Sequence, residues 1–485
     1  MNVTTRRATA SLLALGLFAI SSAALATNGY FTHGIGAQSK GMAGTGVGSN
    51  ADMGAIMTAS NPALGVFVDD SWEAGLSVFS PRRSYEAFES QLNGNFLPIP
   101  GCDFDAPTFA DCLPSHTIAE GKVDSSSEWF PIPYVAKNWS LASGANITGA
   151  FYGRGGMNTD WDDPNALATS YFCNLQLFGT QPVPEGQGPF CNGTAGVDLS
   201  QAFLSVTYSA MSGDNFAWGI GPIIAAQAFE ARGVGTFTPV TKSFLLSGGT
   251  VYPSPSLSNN GHEMSFGFGL TAGIWWSLSD KFSAGLSYQS KIAMGEFDDY
   301  ADLFAEDGDF DIPSSIKAGI SYVANDILRI NFDVEHTAFS DVGAVGNPMA
   351  NLFSCPAVPE IVRISTDIES CLGGSNGAGF GWDDMTTYKL GFELQRDEGM
   401  IMRFGYSYGE QPVQPDDVLF NILAPGVMEQ HITFGLSTKA ANGGEWNFSF
   451  MYSPEKSVKG FSAFDPTQQI EVTMNQLEFE VSYSF

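Results

Sequence analysis

Residues Leu477 to Phe485 read LEFEVSYSF, an apolar side chain at every second position and an aromatic ring at the end of the chain. In a strand, successive side chains point to opposite faces. Leu477, Phe479, Val481, Tyr483 and Phe485 therefore share one face, and Glu478, Glu480, Ser482 and Ser484 the other. One greasy face and one wet face fit a closed sheet that crosses a bilayer, apolar toward lipid and polar toward a lumen. A strand of a soluble sandwich alternates in the same way. The membrane reading is favoured because the pattern recurs along the whole chain and because the N-terminus carries an export signal.

That signal is Arg6 and Arg7 followed by an apolar run from Ala8, with a small-residue cleavage site at Ala24-Leu25-Ala26. It predicts a signal peptide over 1–26 rather than a retained membrane helix, since the run is short and Ser-rich near its end. No cysteine follows the site to carry a lipid anchor. Beyond it no stretch of about 20 continuous apolar residues occurs, so helices cannot span lipid and only a barrel can. The outer membrane is the expected location. Formal charge is −30, and cleavage removes Arg6 and Arg7 to give −32. Nucleic acid is excluded as a partner on that charge. The 55 glycines and the many aromatic residues suit tilted strands joined by tight turns.

Alternation and turn signals mark fourteen strands, at 72–82, 129–139, 145–154, 198–210, 215–231, 263–277 and 281–293, then 313–323, 327–338, 383–396, 399–409, 428–439, 444–454 and 473–485. Short connections such as Ser212-Gly213-Asp214-Asn215 and Asp397-Glu398-Gly399 alternate with long ones over 83–128, 155–197, 232–262 and 339–382. Short periplasmic turns and long outer loops are the pattern of bacterial barrels. The expected fold is an all-β, 14-stranded antiparallel transmembrane barrel over 71–485. The cysteines fall two to a loop: Cys102 with Cys112, Cys173 with Cys191, Cys355 with Cys371. Local disulfides in an oxidising compartment follow from that placement. The competing metal site has no CxxC spacing or paired His behind it.

Residues 27–70 do not alternate. They carry Gly34, Gly36, Gly41, Gly44, Gly46 and Gly48, then Ser60-Asn61-Pro62-Ala63. A compact plug is one reading of this composition, and a disordered leader is the other. A barrel of about fourteen strands left empty would leak small solutes, which gives a plug its purpose.

Several segments resemble one family in order along the chain. They are Gly34-Ile35-Gly36, Asn61-Pro62-Ala63, Phe282 to Ile292, Ile312 to Gly319, Tyr388-Lys389-Leu390-Gly391, and Arg403 to Tyr408 followed by Pro412-Val413. The chain is similar to the FadL-type outer-membrane transporters of long-chain fatty acids and other hydrophobic compounds. The resemblance implies an N-terminal hatch inside the lumen and passive uptake. It further implies capture among outer loops, rearrangement of the hatch, and sideways exit at a kinked third strand. Gly153 aligns with the kink, and Asn61, Pro62 and Ala63 would lie against the opening. Glycine suits a broken strand because it tolerates unusual dihedrals, though these glycines would equally relieve crowding at a tilted wall.

With apolar side chains outward, Lys317, Lys389 and Arg403 point into the lumen among carboxylates. There they would pair with a fatty-acid headgroup or simply fill a polar lumen with salt bridges. The acidic run from Asp298 to Asp311 lacks EF-hand spacing and reads as a solvated loop ahead of a Ca2+ site. No GxSxG or HExxH motif occurs, and the five histidines are scattered, so no enzyme activity and no cofactor are expected. The expected partners are a hydrophobic small molecule, outer-membrane lipid and lipopolysaccharide, and the barrel is expected to be a monomer. Fatty acid is the expected cargo, neutral hydrocarbons the alternative, and a structural or adhesive barrel a more distant one.

Overall fold

The computed structural model describes residues 28–51, 53–97, 115–170, 188–358, 363–397 and 399–485. The expected signal peptide, Cys102, Cys112 and Cys173 lie outside them.

The barrel strands are β1 Trp72–Ala87, β2 Phe130–Ser140, β3 Asn146–Asn158, β4 Gly196–Met211, β5 Phe216–Arg232, β6 Glu263–Ser277 and β7 Phe282–Gln289. They continue as β8 Ser315–Val323, β9 Leu328–Thr337, β10 Met385–Asp397, β11 Met400–Gly409, β12 Gln430–Lys439, β13 Glu445–Ser462 and β14 Asp465–Ser484. Each pairs antiparallel with its sequence neighbour, and β14 closes the ring on β1 from Glu73↔Ser484 to Ala87↔Ile470. Closure leaves no sheet edge to lipid. Tight turns join the periplasmic ends; Gly213, at φ +71° in the β4–β5 turn, holds a conformation that costs other residues energy.

The two faces separate as the alternation demands. On β14, Leu477 and Phe479 are 40% and 48% exposed, while Glu478 and Glu480 are 3% and 1%. Trp72, Trp139, Trp218, Trp276 and Trp446 ring the periplasmic rim, and Trp129 stands at the other end of β2, all of them exposed. Interfacial girdles place tryptophan at these heights. The remaining tryptophans, Trp161, Trp275 and Trp382, are buried.

The last hairpin is longer than its pattern suggests. The strands expected over 444–454 and 473–485 run to Ser462 and from Asp465. Past a register shift between Ser453 and Lys456, the polarity of the two faces inverts: Val458, Ile470, Val472 and Met474 are buried inside, and Lys459 sits opposite Glu471 outside. Above the lipid the outer face meets water and the inner face meets protein, so a search for apolar-outward alternation stops at the membrane boundary. Strand β7 is shorter than the expected 281–293. The Ser290 N–H still bonds the Leu270 carbonyl, but Ile292 leaves to pair with Ile312, and only Ala293–Met294 rejoins β6.

Below the extracellular cap the lumen is occupied by the N-terminal segment from Asn28 to Val68, which is almost wholly buried. It holds three short turns, Ala37–Lys40, Ala55–Ala59 and Pro62–Phe67, too small to stand alone as helices. Its glycines permit close approach: a Cβ on Gly41 would crowd Gly435 of β12, and one on Gly48 would crowd Gly319 of β8.

Candidate functional site

The lower lumen is a lattice of charge pairs that grips the plug. Lys40 is bound between Glu478 and Glu480, at 2.6 Å from the latter, and all three are buried. Asp333 of β9 accepts the backbone N–H groups of Gly46 and Val47 at 2.8 and 3.0 Å. The Tyr134 hydroxyl donates to Glu73, which also accepts the Ile56 N–H. Isolated buried charges are prohibitively costly, so each is held by an opposite charge or by amide dipoles.

Lys317, Lys389 and Arg403 do face this interior, and each meets a carboxylate. Glu335 lies 2.7 Å from Lys389, 3.3 Å from Lys317 and 3.4 Å from Arg154. Arg403 pairs with Glu393 at 2.9 Å. Lys389 also donates to the carbonyl of His33, which ties the plug to β10.

The Asn61-Pro62-Ala63 triplet forms a capped turn. The Asn61 side chain accepts the Ala63 N–H at 3.0 Å and donates to the carbonyls of Val47 and Ile274. The turn lies on β5 and β6, where Gly219 and Gly273 leave flat backbone: a Cβ at either would collide with Pro62 or Asn61. Gly153 sits elsewhere, at a register shift of β3 against β4 between Gly153 and Gly155. At the same height the β2–β3 ladder ends, its last pair being Tyr134↔Tyr152, while β3 continues to Asn158. Tyr30 to Thr32 of the plug occupy the freed edge. The Thr32 N–H bonds the Arg154 carbonyl at 2.9 Å and the Gly156 N–H bonds the Tyr30 carbonyl at 3.0 Å. Arg154 also stacks over Phe31 at 4.6 Å. The segment at this seam is thus Tyr30–Thr32, and Asn61–Ala63 lies against the neighbouring wall.

Above the plug, the outer loops close over an apolar chamber of about 500 Å³. Phe229, Phe237, Leu303, Phe304, Phe380 and Phe420 line it, together with further residues that are all apolar or glycine. Phe237 is shared with a second cavity of about 400 Å³, bounded by His116, Phe190 and Phe464. These residues lie mostly outside the periodic strands; the signal for them is the abundance of phenylalanine, 38 in the chain, much of it between strands.

Cys355 and Cys371 are joined as a disulfide in the loop before β10, and Cys191 is also disulfide-bonded. The Cys355–Cys371 bridge closes a separation of 16 residues, and Leu372 beside it lines the chamber. Such a loop gains about 3 kcal/mol from its crosslink. Reduction is expected to make 343–382 the first protease-sensitive region of the folded protein, read by limited digestion with and without dithiothreitol. The acidic run is engaged internally: Asp302 accepts the Ser243 and Ser254 hydroxyls, and Asp311 holds Lys291 at 2.8 Å. Asp309, half-buried beside Asp311, has its carboxyl pushed up to about 7.

A sealed barrel with a plugged polar lumen and an apolar chamber above it defines an outer-membrane transport protein for hydrophobic compounds. The chain belongs to the outer membrane protein transport family OMPP1/FadL/TodX, whose profile matches residues 197–437. Its fold is similar to that of the Pseudomonas putida toluene transporter TodX, with TM-score 0.58 and 14% identity over 93% of this chain and 98% of that one. A Pseudomonas aeruginosa FadL homologue matches with TM-score 0.58 and 15% identity over 94% and 99%. The Ralstonia pickettii toluene transporter TbuX matches with TM-score 0.54 and 15% identity over 93% and 98%. No curated protein matches this chain.

Proposed function

We propose that this barrel takes up long-chain fatty acids or similar hydrophobic compounds passively. The cargo is captured among the outer loops and held in the apolar chamber. It then passes a rearranged hatch and leaves sideways at the seam beside Gly153. The observation that carries this reading is the apolar chamber above a lumen occupied by the buried Asn28–Val68 segment. No catalysis is involved, and the protein acts as a monomer surrounded by outer-membrane lipid and lipopolysaccharide. Neutral hydrocarbons are the second reading, favoured by a chamber whose lining carries no charged side chain.

Ala378 lines the chamber and is buried. Ala378→Trp would fill space that a ligand needs, and is expected to weaken binding of a fluorescent long-chain fatty acid about tenfold, the equivalent of ~1.4 kcal/mol. The refolded variant should keep the wild-type fold, checked by heat-modifiable mobility on gels. Unchanged binding would move capture away from this chamber. Rapid swelling of wild-type proteoliposomes in small sugars would contradict a hydrophobic route altogether.

A further inference from the structure

Two imidazoles meet at the boundary between plug and wall. His33 of the plug and His431 of β12 are both fully buried, and their rings stack with centroids 5.6 Å apart and planes 15° from parallel. Their surroundings differ. His33 approaches Glu478 of β14 at 3.4 Å, a carboxylate able to balance a charge on its ring. His431 meets only a neutral partner: its Nδ1 lies 2.9 Å from the Ser407 hydroxyl of β11. Its Nε2 is buried with no hydrogen-bond partner among the described residues.

The charged groups around this pair are already matched. Register places Lys389, Ser407 and His431 side by side on the inward face of β10, β11 and β12. On the other flank, β13 presents Met451 and Ser453, which carry no charge. The plug contributes Lys40 besides His33. From β14, Glu478 and Glu480 are both bound to Lys40. From β9, Glu335 is bound to Lys389 and Lys317, and Asp333 to the amides of Gly46 and Val47. A proton on His431 would give its ring a second N–H donor. That donor has no acceptor, and the new charge faces His33 and Lys389 in a buried space, where like charges repel strongly.

We propose that the His33–His431 stack is an acid-sensitive catch between plug and wall, and that protonation of His431 breaks the stack and favours a displaced plug. Displacement of the plug lets lumen water reach the His431 ring, which then behaves as an ordinary imidazole with a midpoint of about 6.5. The displaced state therefore binds more protons at this pair than the seated one. By linkage, the balance moves toward displacement as pH falls and returns as pH rises. The catch concerns the fastening of the plug and holds for any cargo. His33 is the element of the plug that answers, because the repelled ring sits on it, whereas the Lys40 latch beside it keeps its own carboxylates throughout the same pH interval.

Hydrogen exchange of the Asn28–Val68 segment reads the displaced fraction, followed by mass spectrometry on the refolded full-length barrel at pH 7.5 and 5.0 and corrected for the intrinsic effect of pH on amide exchange. One imidazole that takes its proton only in the displaced state raises that fraction about thirtyfold over this interval. Wild type is expected to lose protection on that scale at pH 5.0 and to regain it on return to pH 7.5. His431→Phe keeps a ring against His33 and cannot be protonated, so its protection should be the same at both values. His431→Gln, with no titrating group either, carries the same expectation should the larger ring prevent folding. Wild-type protection that does not change between the two pH values would overturn the catch without help from any variant. An acid response of wild-type size in both His431→Phe and His431→Gln would overturn it as well, and would place the sensor on the carboxylates of β14.

Discussion

Lys40→Met is expected to unfasten the plug. Lys40 is the counter-charge of both Glu478 and Glu480, and His33 approaches Glu478 at 3.4 Å. Without the ammonium, two buried carboxylates face each other along one strand, a situation that costs on the order of 3–5 kcal/mol. The barrel has an escape that a soluble core lacks, because water can enter its lumen if the plug moves. The strands are therefore expected to remain paired while the Asn28–Val68 segment loosens. Liposomes containing the variant should swell in small sugars at a rate well above wild type, with strand content unchanged by circular dichroism. A sealed Lys40→Met barrel would mean that the backbone contacts of Gly46, Val47 and Ile56 hold the plug by themselves.

Glu335→Gln should produce the other large effect, at the seam. One carboxylate serves Lys317, Lys389 and Arg154. Neutralising it leaves three cations within one buried cluster, with a cost again of about 3–5 kcal/mol. Arg154 occupies the shifted part of β3 and stacks on Phe31. Its repulsion from the two lysines is expected to disturb the Tyr30–Thr32 pairing. Hydrogen exchange should rise at the amides of Thr32 and Gly156, whose bonds close that edge. Lys317→Met in the same background should restore protection in part, since it removes one of the surplus charges. If protection is unaltered in Glu335→Gln, the edge is held by its main-chain bonds without electrostatic help.

The wall is legible in the chain because lipid and lumen impose a two-residue period. Glu263–Ser277 reads directly as a strand, with its apolar side chains outward. That legibility ends where lipid ends. In Asp465–Ser484 the same period persists, but Ile470, Val472 and Met474 take the inward positions that Glu478 and Glu480 occupy lower down. The plug is legible as a composition, dense in glycine and closed by Asn61-Pro62-Ala63, whereas its fastenings are not. Lys40 and Glu478 are 438 positions apart, and no local pattern pairs them.

Strand β14 carries both polarities within a few residues. Met474 is part of the buried upper interior, and Glu478 holds Lys40 of the plug four residues below. At the rise of a β-strand that separation is about 13 Å. A single stiff element therefore joins the compartment that would receive cargo to the latch beneath it. The apolar interior above and the charged latch below are therefore held in fixed register by one strand of the wall.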